Sequence, residues 1–320
     1  MNEGQKLVSI VVPFYNEGAG VEKFRAALLP CLAAIAETDW EIICVDDGSR
    51  DTTLAELIAV QAVDRRFLVI ELSRNFGKEA ALTAGLDAAR GDAVIPIDAD
   101  LQDPPELIAE MVAAWRAGAE VVLARRGDRA SDGVMKRKTA SWFYSLHNRL
   151  SKTKIPVNVG DFRLMDRIVV DAVKRLPERQ RFMKGLFAWV GFRTVTIDYV
   201  RAGRAAGETK FSGFALWNFA LEGLTSFSTT PLKIWTYLGA ASASLTAAYA
   251  VFIILRTIIM GIHVPGYASL LVAVLFFGSV QLMSIGLLGE YIGRIYIETK
   301  QRPTYVIRRE YASNDKGSAS

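Results

Sequence analysis

Histidine is nearly missing from this 320-residue chain: only His147 and His263 occur, far apart in sequence. A histidine-based zinc site or a Ser-His-Asp triad therefore has almost nothing to be built from, and any metal must be held by oxygen ligands, which points to magnesium or manganese. Cysteine is equally scarce. Cys31 and Cys44 cannot form a disulfide framework, and both read as buried thiols in a reducing compartment. No G-x-G-x-x-G follows the first strand-like run and no G-x-x-x-x-G-K-[ST] occurs, which removes the dinucleotide fingerprint and the Walker A loop. Met1 to Lys6 is polar and lacks a secretory signal, so the N-terminal part is expected to stay in the cytoplasm.

Charge is missing from one region only. Of 38 basic and 34 acidic side chains, just Lys233 and Arg256 lie between Pro231 and Gly289. This segregation explains how an ordinary charged fraction of 22% coexists with a mean hydropathy of +0.21. Ile234 to Leu255 and Tyr267 to Gly289 are uncharged runs, each about 33 to 35 Å long as a helix against ~30 Å of hydrocarbon, which predicts two transmembrane helices. The connecting loop carries little positive charge and the C-terminal tail carries much, so both termini are expected on the cytoplasmic side. Before the first span, Phe214, Trp217, Leu221 and Leu224 share one helical face, which predicts an interfacial helix. Lys136 to Leu150 is a second amphipathic candidate. The expected organisation is a charged N-terminal domain over 1–210, a juxtamembrane helix over 211–231, spans over 232–256 and 266–290, and a cytoplasmic tail over 291–320.

In the first half, short β-branched runs (Val8 to Val12, Ile42 to Val45, Phe67 to Leu72, Ala93 to Ile97) alternate with stretches of helical periodicity such as Gly20 to Ala36 and Thr52 to Ala62. The pattern predicts an α/β fold with a mostly parallel, Rossmann-like sheet, whose ligand site lies beyond the carboxyl ends of the strands. Those ends carry Pro13 to Glu17, Asp46 to Ser49, and Asp98 to Pro105. An isolated D-x-D is a weak signal, because paired aspartates commonly serve turns. At the end of a buried strand, however, Asp98, Asp100 and Gln102 project the same way if the segment stays extended, and then suit a divalent cation that clamps a diphosphate. Asp47 is a candidate nucleotide contact, while Ser49 and Asp51 read as turn and N-cap groups.

Between Arg125 and Lys154 nine basic residues face only Asp128 and Asp132. A solvated helix face or attraction to anionic lipid would account for this, and nucleic acid is a poor partner because no recognition fold accompanies the charge. A phosphate-bearing lipid acceptor satisfies both charge and location. Arg204 to Lys210 places two cations around Gly207, a flexible loop suited to closing over a diphosphate.

Ile10 to Glu17 (IVVPFYNE), Asp46 to Ser49 (DDGS), Ser73 to Gly85 (SRNFGKEAALTAG), Asp98 to Pro105 (DADLQDPP), Lys136 to Lys138 with Ser141, Gly160 to Leu164 (GDFRL), Arg204 to Lys210, and Leu288 to Tyr296 (LGEYIGRIY) together resemble the polyprenyl-phosphate glycosyltransferases of glycosyltransferase family 2. Within that family the chain is most similar to bactoprenol glucosyltransferases. Dolichyl-phosphate mannose synthases and undecaprenyl-phosphate aminoarabinose transferases are relatives. The resemblance implies a GT-A catalytic domain that uses a nucleotide-sugar donor and Mg2+ or Mn2+. It implies that Pro13, Tyr15, Glu17, Val45 and Asp47 hold the nucleoside, that Asp98 and Ala99 contact nucleotide or ribose, and that Asp100 and Gln102, with Asp98 as a further candidate, ligate the metal. Arg125 would sit between donor diphosphate and acceptor phosphate, Arg137 and Ser141 would hold the acceptor phosphate, and Arg204 and Lys210 would close over the donor. Asp161 is a candidate base or orienting carboxylate. Asp103 replaces the asparagine of the aminoarabinose relatives, which leans toward a glucosyl donor.

The implied reaction is inverting transfer of a hexose, glucose from UDP-glucose first, to undecaprenyl phosphate at a bacterial inner membrane, by a homo-oligomer with a tetramer favoured. GDP-mannose and a UDP-aminosugar are alternative donors. A non-catalytic scaffold or a lipid-carrier flippase is the rival of another class, disfavoured by the intact acidic strand end and by spans without an intramembrane charge. A processive polysaccharide synthase is disfavoured by the absent Q-x-x-R-W signature.

Overall fold

The computed structural model describes residues 5–127, 159–179, 181–199 and 266–312, together with isolated helical positions between 237 and 259. Strands β1 (Lys6–Phe14), β2 (Thr38–Asp46), β3 (Phe67–Leu72) and β4 (Ala93–Pro96) alternate with helices α1 (Gly18–Ala33), α2 (Thr53–Val63), α3 (Lys78–Ala88) and α4 (Leu107–Arg116). Then follow β5 (Val121–Arg126), β6 (Val159–Asp166), α5 (Arg167–Lys174), α6 (Met183–Val190), β7 (Thr194–Tyr199), α7 (Tyr267–Thr299) and β8 (Ile307–Tyr311).

The eight strands form one sheet in the order β7-β5-β6-β4-β1-β2-β3-β8. The four strands expected from sequence are its parallel centre, with β1 between β2 and β4, and β3 beside β2. β6 runs antiparallel between β4 and β5, and β8 runs antiparallel to β3 at the edge. The central strands read as nearly continuous apolar runs because helices cover both faces. On one face Val8, Ile10, Val12 and Phe14 of β1 pack with Phe24 and Leu28 of α1 and Met111 and Trp115 of α4. On the other, Val11, Ile43 and Val45 pack with Leu82 and Leu86 of α3, Val170 of α5 and Leu186 of α6. Gly85 of α3 sits so close to Val11 that any Cβ would collide with that side chain, so glycine sets the spacing of helix and sheet. Cys44 is buried as expected, whereas Cys31 is only half-buried.

Two features at the C-terminal end depart from the expected boundaries. α7 continues to Thr299, ten residues past the uncharged run, and the segment expected as a tail contributes β8 to the sheet. Arg308 pairs with Glu71 at 3.0 Å, and the Tyr311 hydroxyl donates to Glu71 at 3.0 Å. Among the described residues no helix is long and apolar enough to cross a membrane. The interfacial candidates around Phe214 to Leu224 and Lys136 to Leu150 lie outside the described residues.

Candidate active site

The parallel strands deliver their chemistry to one rim. Pro13 is the register partner of Val45, and Phe14 of Asp46, so the ends of β1 and β2 are level. Beyond them the Asn16 amide donates to Ser49 Oγ (2.9 Å) and the Arg50 amide to Asn16 Oδ1 (2.9 Å), locking the two turns together. Asp51 accepts from the Gly18 and Thr53 amides, at the starts of α1 and α2. Its capping role is therefore shared between two helices. Tyr15 is exposed on this rim, whereas Val45 is fully buried against α3, so its side chain belongs to the core.

Asp47 is also buried. Its two carboxylate oxygens accept from the Phe76 amide (2.7 Å) and the Gly77 amide (2.9 Å), which fixes the loop after β3. Gly48, at φ +66°, lies against the Arg74 backbone where a Cβ would clash. The DDGS turn thus shapes the neighbouring loop as well as the rim.

That loop leads into Lys78 at the start of α3. A lysine in the first turn opposes the helix dipole and requires counter-charge. It has two: Lys78 Nζ lies 2.7 Å from Asp98 at the end of β4 and 2.8 Å from Asp161 on β6. Burial alone would lower the lysine pKa, but Asp161 first and Asp98 second outweigh it and hold the ammonium above its ordinary range. Burial likewise works to raise Asp161, yet Lys78, Lys184 and Arg163 leave it below the usual carboxylate range. One oxygen of Asp161, Oδ1, is buried without a hydrogen-bond partner among the described residues. Arg163 backs the cluster: it is buried, donates to the Gly160 carbonyl at 2.7 Å and lies 4.3 Å over the Phe187 ring. Sequence reasoning missed Lys78 as a site residue. The signal was a helix-starting lysine beyond a parallel strand end.

Asp100 and Gln102 share the turn after β4, where Leu101 takes a positive φ of 54°. Gln102 donates from its backbone amide (3.1 Å) and from Nε2 (2.5 Å) to Asp100. Gln102 Oε1 is buried and unpartnered among the described residues, so an oxygen donor set exists beside the Asp100 carboxylate. Glu17 faces the same space: partial burial and then the Asp100 charge hold its carboxyl above the ordinary range. Among the described residues no group of three or more His, Cys, Asp or Glu is arranged to hold a metal by itself. Asp98 is committed to Lys78, which leaves Asp100 and Gln102. One carboxylate and one amide oxygen, with substrate phosphates completing the shell, is a set that magnesium or manganese accepts.

Asp103 points elsewhere. It is buried, accepts from the Tyr199 hydroxyl and lies 3.6 Å from Arg126. Its acidity is matched by β5 and β7, and this contact ties the D-x-D turn to those strands. Ala99 is buried within the same turn. Arg125 makes a two-pronged ion pair with Asp198 (2.6 and 2.8 Å), a partner invisible to sequence reasoning. Both side chains are exposed, so a substrate phosphate would compete for the same guanidinium. Arg137, Ser141, Arg204 and Lys210 lie outside the described residues.

Known proteins match both parts of the sequence. Residues 9–174 match the profile of glycosyl transferase family 2, and residues 230–295 match the GtrB C-terminal hairpin. The chain belongs to glycosyl transferase family 2. As a family member it is a glycosyltransferase with a GT-A fold. It is 53% identical to a prophage bactoprenol glucosyl transferase homologue of Escherichia coli, over 94% of this chain and 98% of that one. It is 52% identical to a prophage-derived bactoprenol glucosyl transferase of Shigella flexneri, over 96% and 99%. An uncharacterised glycosyltransferase of Synechocystis is 55% identical over 94% of each chain. Among solved structures, a mannosyltransferase of Pyrobaculum calidifontis covers 91% of this chain and 88% of its own, at 18% identity and a TM-score of 0.46.

Proposed function

We propose that this glycosyltransferase moves a hexose, glucose from UDP-glucose, onto the phosphate of a membrane polyprenyl phosphate such as undecaprenyl phosphate, with inversion at the anomeric carbon. The observation that carries the reading is similarity to proteins named bactoprenol glucosyl transferases along almost the whole of both chains, catalytic part and hairpin alike. The acceptor phosphate is already anionic near neutral pH, so no strong general base is required. Asp161, ion-paired to Lys78, then orients the acidic rim and does not need to take a proton. Arg125 and Arg137, with Ser141, hold the acceptor phosphate, while Arg204 and Lys210 close over the donor diphosphate.

A Mg2+ or Mn2+ ion held by Asp100 and Gln102 would supply positive charge to the leaving diphosphate. Pro13, Tyr15, Glu17 and Asp47 would line the nucleoside side of the same rim. For the membrane, the support is α7: Leu270, Val274, Phe276, Leu282, Met283, Ile285 and Leu288 are all exposed on a helix whose first 23 residues are uncharged. Apolar exposure of that extent calls for lipid or a partner helix. We place the enzyme in a bacterial inner membrane with two spans and a cytoplasmic catalytic domain, assembled as a homo-oligomer.

The test is a donor screen. Purified full-length protein is offered labelled UDP-glucose, GDP-mannose or a UDP-aminosugar with undecaprenyl phosphate and either metal, and the lipid product is analysed for sugar and anomeric configuration. Glucose transfer with inversion is expected. Transfer only from another donor overturns the glucosyl assignment, and transfer only to water or protein overturns the lipid acceptor.

A further inference from the structure

A cleft of about 610 Å3 lies between the loop after β3 and the junction of α7 with β8. Four cations line it, Arg74, Arg179, Lys300 and Arg302, together with Phe76 and Tyr296, and no carboxylate is among its described lining residues. Two of the charges are braced on aromatic walls: the Arg74 guanidinium lies 3.9 Å over Phe76, and Lys300 Nζ lies 4.1 Å over Tyr296. The neighbouring acid, Glu298, accepts from the Arg179 backbone amide at 2.9 Å. The far wall is fixed, because the Ser73 amide donates to the Val306 carbonyl (2.9 Å) and β8 pairs with β3.

The cleft opens beside the end of α7, where Ile297 lines it and remains exposed. A cationic floor beside the apolar surfaces of Ile297 and Tyr296 suits an amphiphile: an anionic head among the cations and the start of an acyl chain against the end of the helix. We propose that this cleft binds the phosphodiester headgroup of an anionic membrane lipid and thereby seats the catalytic domain on the bilayer. Its described lining residues do not include Arg125, and the acceptor phosphate is assigned to Arg125, Arg137 and Ser141. The inference rests on the membrane reading of α7.

The experiment uses the full chain in nanodiscs of phosphatidylcholine, with or without phosphatidylglycerol, and counts retained lipids by native mass spectrometry. The variants are Arg179→Gln and the double variant Lys300→Gln/Arg302→Gln. Wild type is expected to retain phosphatidylglycerol selectively, with retention falling about fivefold for the single variant and about thirtyfold for the double. Inorganic phosphate at millimolar concentration is the competing arm. Displacement of the lipid by phosphate, or phosphate binding with no lipid selectivity, would assign the cleft to a soluble anion and overturn the proposal. Equal retention by wild type and both variants would overturn it too. Should the double variant fail to fold, the single variant decides. Sugar transfer to undecaprenyl phosphate is measured on the same samples: a wild type that transfers normally but shows no preference for phosphatidylglycerol overturns this site alone, and wild-type lipid selectivity without any transfer overturns the proposed function alone.

Discussion

Replacing Lys78 with methionine keeps the length of the side chain and removes a charge that joins the ends of β4 and β6. Asp98 and Asp161 each lose an ammonium partner at 2.7 to 2.8 Å and are left as neighbouring carboxylates. Breaking a fully buried pair costs about 3–5 kcal/mol. Here 45% of the Lys78 side chain is exposed and water screens the bridge, so about 1–2 kcal/mol is expected. The effect on chemistry is larger, because misplacing catalytic groups by about 1 Å lowers rates on the order of a hundredfold. Thermal unfolding in detergent and steady-state transfer kinetics are measured together. A modest loss of stability with a fall in kcat of about a hundredfold is expected, partly restored in Lys78→Arg. Transfer within threefold of wild type would refute the reasoning that this bridge sets the acidic rim.

Glu79, next in α3, has its carboxyl pushed up to about 7, by burial first and the Asp161 charge second. Its folded-state pKa lies above the ordinary 4.5, so the folded protein holds the proton more tightly. This contribution to stability is complete below pH 4.5 and declines as pH rises toward 7, by about 3 kcal/mol. Glu79→Gln should flatten stability across that window in thermal unfolding, and an unchanged slope would count against it. Tyr199→Phe removes the hydroxyl that donates to buried Asp103 and should cost about 1–2 kcal/mol; an unshifted melting temperature would deny that the contact anchors the D-x-D turn. Arg137→Ala should raise the polyprenyl phosphate concentration needed for half-maximal transfer. A change confined to the nucleotide-sugar requirement would instead assign Arg137 to the donor.

The sequence announced the parallel centre because β1 to β4 are buried on both faces and must be apolar almost throughout. The outer strands carry no such mark. β6 (VGDFRLMD) interleaves charges with its core residues, and β8 (IRREY) is three-fifths charged and held only at an edge. α7 outruns its hydropathy signal because Glu290 and Arg294 interrupt apolarity without interrupting helix formation. The acidic strand end was legible from Asp98, Asp100 and Gln102, but which partner each takes depends on residues distant in sequence. Asp98 and Asp161 are 63 positions apart and meet through Lys78. Asp103 read as a clue to the sugar, and its buried contacts with Tyr199 and Arg126 give it a supporting role in the turn.

The most direct test compares wild type with Asp100→Ala in transfer of labelled glucose from UDP-glucose to undecaprenyl phosphate with manganese present. Wild type should form the labelled lipid, and Asp100→Ala should form none while keeping its melting temperature, because the Asp100 residue is itself exposed and is not part of the core. Normal transfer by Asp100→Ala, or no transfer by folded wild type, would contradict the account.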